Sequence, residues 1–197
     1  MIPDPVTAEP AVRRLGGRTV YRNAWMSVRE DDVRRTDGST GTYGVVDKPD
    51  FALVVPVEDG GFHLVEQYRY PVGGRFWEFP QGSWAGPAPA EEEGADALRL
   101  AAAELREETG LRAGWLRRLG RIHVAYGYAS QGCHVFLAGD LAAGPAEREA
   151  TELDMRQRLV SRAELDALVR EGRMTDAASL AALALYDLHT PRERSVG

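Results

Sequence analysis

From Arg18 to Gly82 the apolar and polar positions fall into short runs with strand character, and helical spacing appears later in the chain. Ser27–Val33 and Thr42–Val46 flank Asp37-Gly38, a turn signal that predicts a hairpin between Arg18 and Val46. Ala52-Leu53-Val54-Val55-Pro56-Val57 is an unbroken apolar run, as expected of a strand covered on both faces. Asp59-Gly60-Gly61 then turns the chain into a strand over Phe62–Arg69. Phe76–Gly82 leads into a loop rich in Gly, Pro, Ala and Glu that ends near Gly94. A helix is expected from about Asp96 to Thr109, stopped by Gly110, with Leu98, Ala101, Ala102 and Leu105 on its buried side. Strands are predicted at Arg117–Tyr126, His134–Ala138 and Met155–Val160, with an acidic mobile loop over Gly144–Asp154 between the last two. Ser161-Arg162-Ala163-Glu164 reads as a capping box opening a helix to about Glu171. A final helix starts at Thr175-Asp176 and runs through Leu188, with Leu180, Leu183 and Leu188 on or near its buried stripe.

These elements make a mixed sheet layered between helices, in the α/β or α+β class. The organisation expected is a disordered lead-in over 1–16, a β-strand arm over 17–47 that serves dimerisation, a main domain over 48–190 and a tail over 191–197. With 197 residues, 44% of them hydrophobic, the chain can bury one sizeable core. A net charge of −6 lacks the basic surplus that nucleic-acid binding needs. The first ten residues carry three prolines and two acids, so neither a signal peptide nor a membrane anchor is expected. The lone Cys133 excludes an internal disulfide and suits a reducing, cytoplasmic compartment, where it reads as a small buried hydrophobe.

The chemistry concentrates in Glu104, Glu107 and Glu108, spaced i, i+3 and i+4 on one helical face. Like charges at that spacing weaken a helix, and a hard divalent cation such as Mg²⁺ offsets the repulsion, whereas zinc would call for His or Cys. Taken alone, three glutamates also fit an ordinary solvated face. The run Glu104-Leu105-Arg106-Glu107-Glu108-Thr109-Gly110-Leu111 resembles the end of the Nudix box, Arg-Glu-aliphatic-any-Glu-Glu-any-Gly-aliphatic. Tyr43–Val46, Val65–Val72, Trp77–Gly82, His134–Ala138 and Asp176–Leu180 follow in the order of the ADP-ribose pyrophosphatase branch, and the resemblance covers about residues 20 to 189. It implies a Nudix-type α/β/α sandwich and Mg²⁺-dependent cleavage of the pyrophosphate of a nucleoside-diphosphate sugar, ADP-ribose first, with Mn²⁺ as a substitute metal. Other nucleotide sugars or dinucleotides remain open as substrates, as does a non-catalytic ligand-binding protein of the same fold.

The resemblance further implies metal binding by Glu104, Glu107, Glu108 and the backbone carbonyl near Gln81. It assigns a base or orienting role to Glu152 ahead of Glu149, phosphate binding to Arg69, and substrate contact or a structural hydrogen bond to Glu78. Trp25 is a candidate to stack on a base or to fill the arm's core, and Gln131 to orient substrate or water. His123 and His134 are expected in the core. A homodimer formed through the N-terminal strands is also implied.

Three positions depart from the pattern. Gly82 and Gly110 are 110 − 82 = 28 positions apart, seven more than in the box, so Glu91, Glu92 and Glu93 compete for its early glutamate and strict counting lands on Ala95. Ala103 replaces the box arginine, which in the family holds a catalytic glutamate by an ion pair; Arg99 lies eight residues before Glu107, a rise of about 12 Å, and is a poor substitute. Gln131 stands where many relatives carry an acid, and its neutral amide cannot be an anionic metal ligand.

Overall fold

The structure, a computed structural model, describes residues 10–83, 93–148 and 154–190. The chain divides into two compact units, Met1–Lys48 with Ala125–Ser130, and Pro49–Val124 with Gln131–Gly197.

The first unit is a three-stranded antiparallel sheet in which β2 (Ser27–Arg35) lies between β1 (Val12–Arg22) and β3 (Thr40–Asp47). The expected hairpin is β2–β3, and its turn is fixed by the Asp37 carboxylate accepting from the Ser39 amide at 2.9 Å. β1 was not foreseen: residues 12–16, expected within the lead-in, are paired with β2. Gly16 and Gly17 dilute the strand signal, and it is pairing with β2 that extends this segment. Asp31 is buried between the Arg14 and Arg29 guanidinium groups, at 2.9 and 2.8 Å. Leu15, Val20, Tyr21 and Trp25 are exposed. Residues 125–130 join this unit through Val46, whose amide donates to the Tyr128 carbonyl at 2.8 Å.

The second unit holds a seven-stranded mixed sheet. Its spine runs β10 (Arg156–Val160), β5 (Gly61–Arg69), β4 (Phe51–Glu58), β9 (Gly132–Ala142), β8 (Arg112–His123), while β6 (Gly74–Glu78) pairs with β5 and β7 (Gln81–Ser83) with β4. The β4–β9 pair is parallel and the others are antiparallel. The unbroken apolar run in β4 has its explanation in alternation: Leu53 and Val55 enter one core and Ala52 and Val54 the other. The first core is closed by α2 (Arg162–Arg170) and α3 (Ala177–His189), the second by α1 (Glu93–Thr109). Helices on both faces of the sheet give the α/β/α sandwich expected from sequence. Leu53 is completely buried, and truncating such a side chain to alanine costs about 2–5 kcal/mol.

The Ser161–Glu164 capping box is present, and Asp176 caps α3 by accepting from the Ser179 amide at 2.8 Å. α1 begins three residues earlier than expected, at Glu93, and β8 lies five residues before its expected start, at Arg112. Leu98 and Ala102 are exposed, so the buried stripe of α1 is rotated to Ala97, Leu100, Ala101 and Leu105. That rotation brings Glu108, three residues after Leu105, onto the covered side. Leu188 is also exposed, and Ala178, Ala182 and Leu183 make the contact of α3 with the core instead. His134 is buried, whereas His123, at the end of β8, is exposed.

Candidate active site

Two strands and one helix assemble the site. After Glu78 the chain passes through Phe79 and Pro80 into β7, and its backbone is fixed at each step. The Phe79 amide donates to the Ser179 hydroxyl at 3.0 Å, the Pro80 carbonyl accepts from the Val54 amide at 2.9 Å, and the Gln81 side chain donates to Asp176 at 3.1 Å. The N-cap of α3 therefore anchors the segment that α1 faces.

Against this segment α1 lays two carboxylates. Glu108, only 1% exposed, accepts from the Gln81 amide through Oε2 at 3.2 Å. A Cβ at Gly82 would overlap the Glu104 carboxylate, so glycine is what lets that group lie against the backbone. Glu107 is half-buried, and its Oε1 accepts from Arg106 at 2.9 Å. Among the described residues no three His, Cys, Asp or Glu side chains form a ready-made metal cluster. Hard carboxylate oxygens beside the backbone of β7 still fit a magnesium-class ion, which commonly takes one or two carboxylates and completes its shell with water and substrate phosphate.

The end of α1 is finished by a distant piece of chain. Gly110 adopts φ 74°, and a Cβ there would collide with the Gly144 carbonyl and the Ala146 amide. The Glu147 amide donates to the Glu107 carbonyl at 3.0 Å, and Arg148 Nε donates to the Glu108 carbonyl at 3.0 Å while its Nη1 reaches the Met155 carbonyl at 2.7 Å. The segment expected as a mobile acidic loop is thus docked as far as Arg148. Its glutamates Glu149 and Glu152 lie outside the described residues, as do Glu91 and Glu92.

Arg69, at the end of β5, is oriented by Glu78. Its Nε donates to Glu78 at 3.1 Å, its Nη2 makes a second bond to the same carboxylate, and Gln67 adds a third at 2.6 Å. Glu78 is buried, and that burial raises its pKa from the ordinary carboxylate value; Arg69 opposes the rise, and the Asp176 charge adds to it. Glu78 thus orients the guanidinium of Arg69 by hydrogen bonds.

Trp25 is 74% exposed in the first unit and does not fill the arm's core; the Asn23 side-chain Oδ1 accepts from the Trp25 and Met26 amides at 2.8 Å. Gln131 donates to the Pro49 carbonyl at 2.8 Å. Arg99 is paired with Asp96. Cys133 is fully buried, and burial pushes its thiol up to about 12, which keeps it protonated and inert. Sequence reasoning missed Asp50, which accepts from the Gly132 amide at 2.7 Å and from Arg121 at 2.7 Å, with His134 at 3.4 Å. It also missed the second role of Asp176 and the anchoring role of Glu147 and Arg148. At Asp176 the sequence offered a helix cap and a segment in the family's order, neither of which names Gln81 as a partner, and pairings across dozens of residues leave no local signal.

Residues 12–46 match the family model for the nucleoside diphosphate sugar hydrolase N-terminal domain. An ADP-ribose pyrophosphatase of Mycobacterium tuberculosis (strain ATCC 25618 / H37Rv) is 30% identical over 93% of this chain and 87% of its own length. A second ADP-ribose pyrophosphatase, from Bacillus subtilis (strain 168), is 28% identical over 71% of this chain and 72% of its own. Among solved structures, an ADP compounds hydrolase superposes with a TM-score of 0.78 at 22% identity, covering 93% of this chain and 96% of that one, which establishes the shared fold. No helix among the described residues is long and apolar enough to cross a membrane. With carboxylates on a box helix facing a glycine of β7, and with this relationship across nearly the whole chain, the protein belongs to the ADP-ribose pyrophosphatase family of Nudix hydrolases.

Proposed function

We propose that the chain hydrolyses the pyrophosphate bond of ADP-ribose to AMP and ribose 5-phosphate with Mg²⁺, or Mn²⁺ in its place. The observation that carries this reading is the convergence of Glu104 and Glu108 on the Gln81–Gly82 backbone. Glu104, Glu107, Glu108 and the Gln81 carbonyl would hold the metal. When bound, it neutralises phosphate charge and makes a coordinated water more acidic. Arg69, oriented by Glu78, binds a phosphate oxygen of the substrate. Glu152, ahead of Glu149, takes the proton of the attacking water as the phosphorus–oxygen bond to the leaving phosphate breaks. Trp25 stacks on the adenine, and the Gln131 amide orients substrate or water. A second copy of the chain covers the exposed Leu15, Val20 and Tyr21 of the arm, giving a homodimer. The buried Cys133 thiol suits a cytoplasmic setting.

The test is a product assay over ADP-ribose, other nucleoside-diphosphate sugars and dinucleotides, with and without Mg²⁺. AMP and ribose 5-phosphate from ADP-ribose, abolished by chelator, is the expected result. Faster turnover of another substrate moves the assignment within the family, and binding of ADP-ribose without any product defeats the catalytic reading. Sedimentation at micromolar concentration checks the dimer.

A further inference from the structure

We propose that Arg106 is the positioning residue for Glu107 in this chain, replacing the arginine that Ala103 lacks, and that Glu147 holds Arg106 in place. The inference rests on the hydrolase reading above and adds a residue to it. Adjacent helical positions point about 100° apart, so Arg106 and Glu107 do not meet by helix geometry alone. They meet here because Glu147 lies on the same flank. Arg106 Nη2 donates to Glu107 Oε1 at 2.9 Å, and Arg106 Nε lies 3.4 Å from Glu147 Oε2. On its other side Glu147 Oε1 is 3.7 Å from Arg112.

The Glu147 amide meanwhile donates to the carbonyl of Glu107. A closed circuit results: backbone of Glu107 to backbone of Glu147, carboxylate of Glu147 to guanidinium of Arg106, guanidinium back to the carboxylate of Glu107. The backbone and the side chain of one glutamate are thereby referenced to the same anchor. Arg99, the other arginine weighed for this role, is engaged by Asp96 at the opposite end of the helix. As a plain surface ion pair the Arg106–Glu107 contact would add little to stability, so its effect is to be sought in metal affinity and turnover.

The test combines steady-state kinetics on ADP-ribose with calorimetric titration of Mn²⁺ into the folded, substrate-free protein. Arg106→Gln is expected to lower kcat and weaken Mn²⁺ binding, each by about ten- to hundredfold, as removal of a residue that orients a metal ligand does. KM should stay within about threefold, because contacts to the substrate are intact. Glu147→Gln should act in the same direction and more weakly. Adding Ala103→Arg to Arg106→Gln places a guanidinium one turn before Glu107 and should recover most of both losses. The proposal is overturned if Arg106→Gln stays within about twofold of wild type in kcat and in Mn²⁺ affinity, or if Ala103→Arg leaves its defect untouched. Wild type that neither turns over nor binds Mn²⁺ would instead sink the hydrolase reading itself.

Discussion

Replacing Gly82 by alanine separates the chemistry of the site from the stability of the fold. The added methyl would occupy the space of the Glu104 carboxylate, the far end of a flexible side chain, so Glu104 can swing away at about 0.5–1.5 kcal/mol of rotamer cost. For a chain of this size that lowers Tm by roughly 1–6 °C. The rate should suffer far more, because a displaced ligand misplaces the reacting groups, and a shift of about 1 Å can cost on the order of 10²-fold. Gly110→Ala is the contrasting perturbation. Its methyl meets backbone of Gly144 and Ala146 at φ 74°, where nothing swings away, so about 2–3 kcal/mol and roughly 4–12 °C of Tm are expected. Thermal melts and initial rates on ADP-ribose check both. If Gly82→Ala keeps kcat within about twofold, Glu104 does not act from the position it occupies against β7.

Three further outcomes follow from the same geometry. Glu108→Gln keeps the shape and the acceptor for the Gln81 amide, so Tm should move little, while loss of the charge should lower kcat by about 10²–10³-fold; an unchanged rate removes Glu108 from the metal set. Arg69→Ala leaves the buried Glu78 carboxylate without its guanidinium and should cost about 1–3 kcal/mol in urea melts together with a raised KM, whereas Arg69→Ala/Glu78→Gln should regain the stability but not the KM. Burial raises the pKa of Asp50, but the Arg121 hydrogen bond, the Gly132 amide and His134 together hold it below the ordinary carboxylate value. Its contribution to stability is therefore present above that value and lost as pH falls through the lowered folded pKa; the Tm gap between wild type and Asp50→Asn should close in acid, and a gap constant with pH refutes this.

The layering of the fold was legible because β4 is apolar at every position from Ala52 to Val55, which only a doubly covered strand sustains. The Ser161 capping box was legible for a similar reason: its signal is local, the four residues Ser161–Glu164, and survives in any context. β1 was hidden because Gly16 and Gly17 carry no propensity of their own, and the segment becomes a strand only when β2 offers an edge. The rotation of α1 was misread because Leu98 and Ala102 look as apolar as Ala97 and Leu100, and only the sheet face it packs on, with Ala52 and Val54 of β4 and Phe136 and Ala138 of β9, decides which pair is covered. Glu108 shows the same limit from the polar side. Its charge placed it with the surface glutamates, while in the fold it faces the Gln81 amide from a buried position. The Nudix box identified the residues, and the backbone of Gln81–Gly82 supplied the partner that no spacing rule contains.

The closing of the α1 terminus by Glu147 and Arg148 also bears on how the protein is made. A ribosome delivers the whole of this helix some forty residues before it delivers the groups that bond its last carbonyls, and β8 and β9 must be laid down in between. A nascent chain halted before Arg148 would carry every box residue yet lack the clasp that fixes Glu107 and Glu108, so competence for chemistry arrives late in synthesis, with the docking of a short stretch that itself contains none of the box.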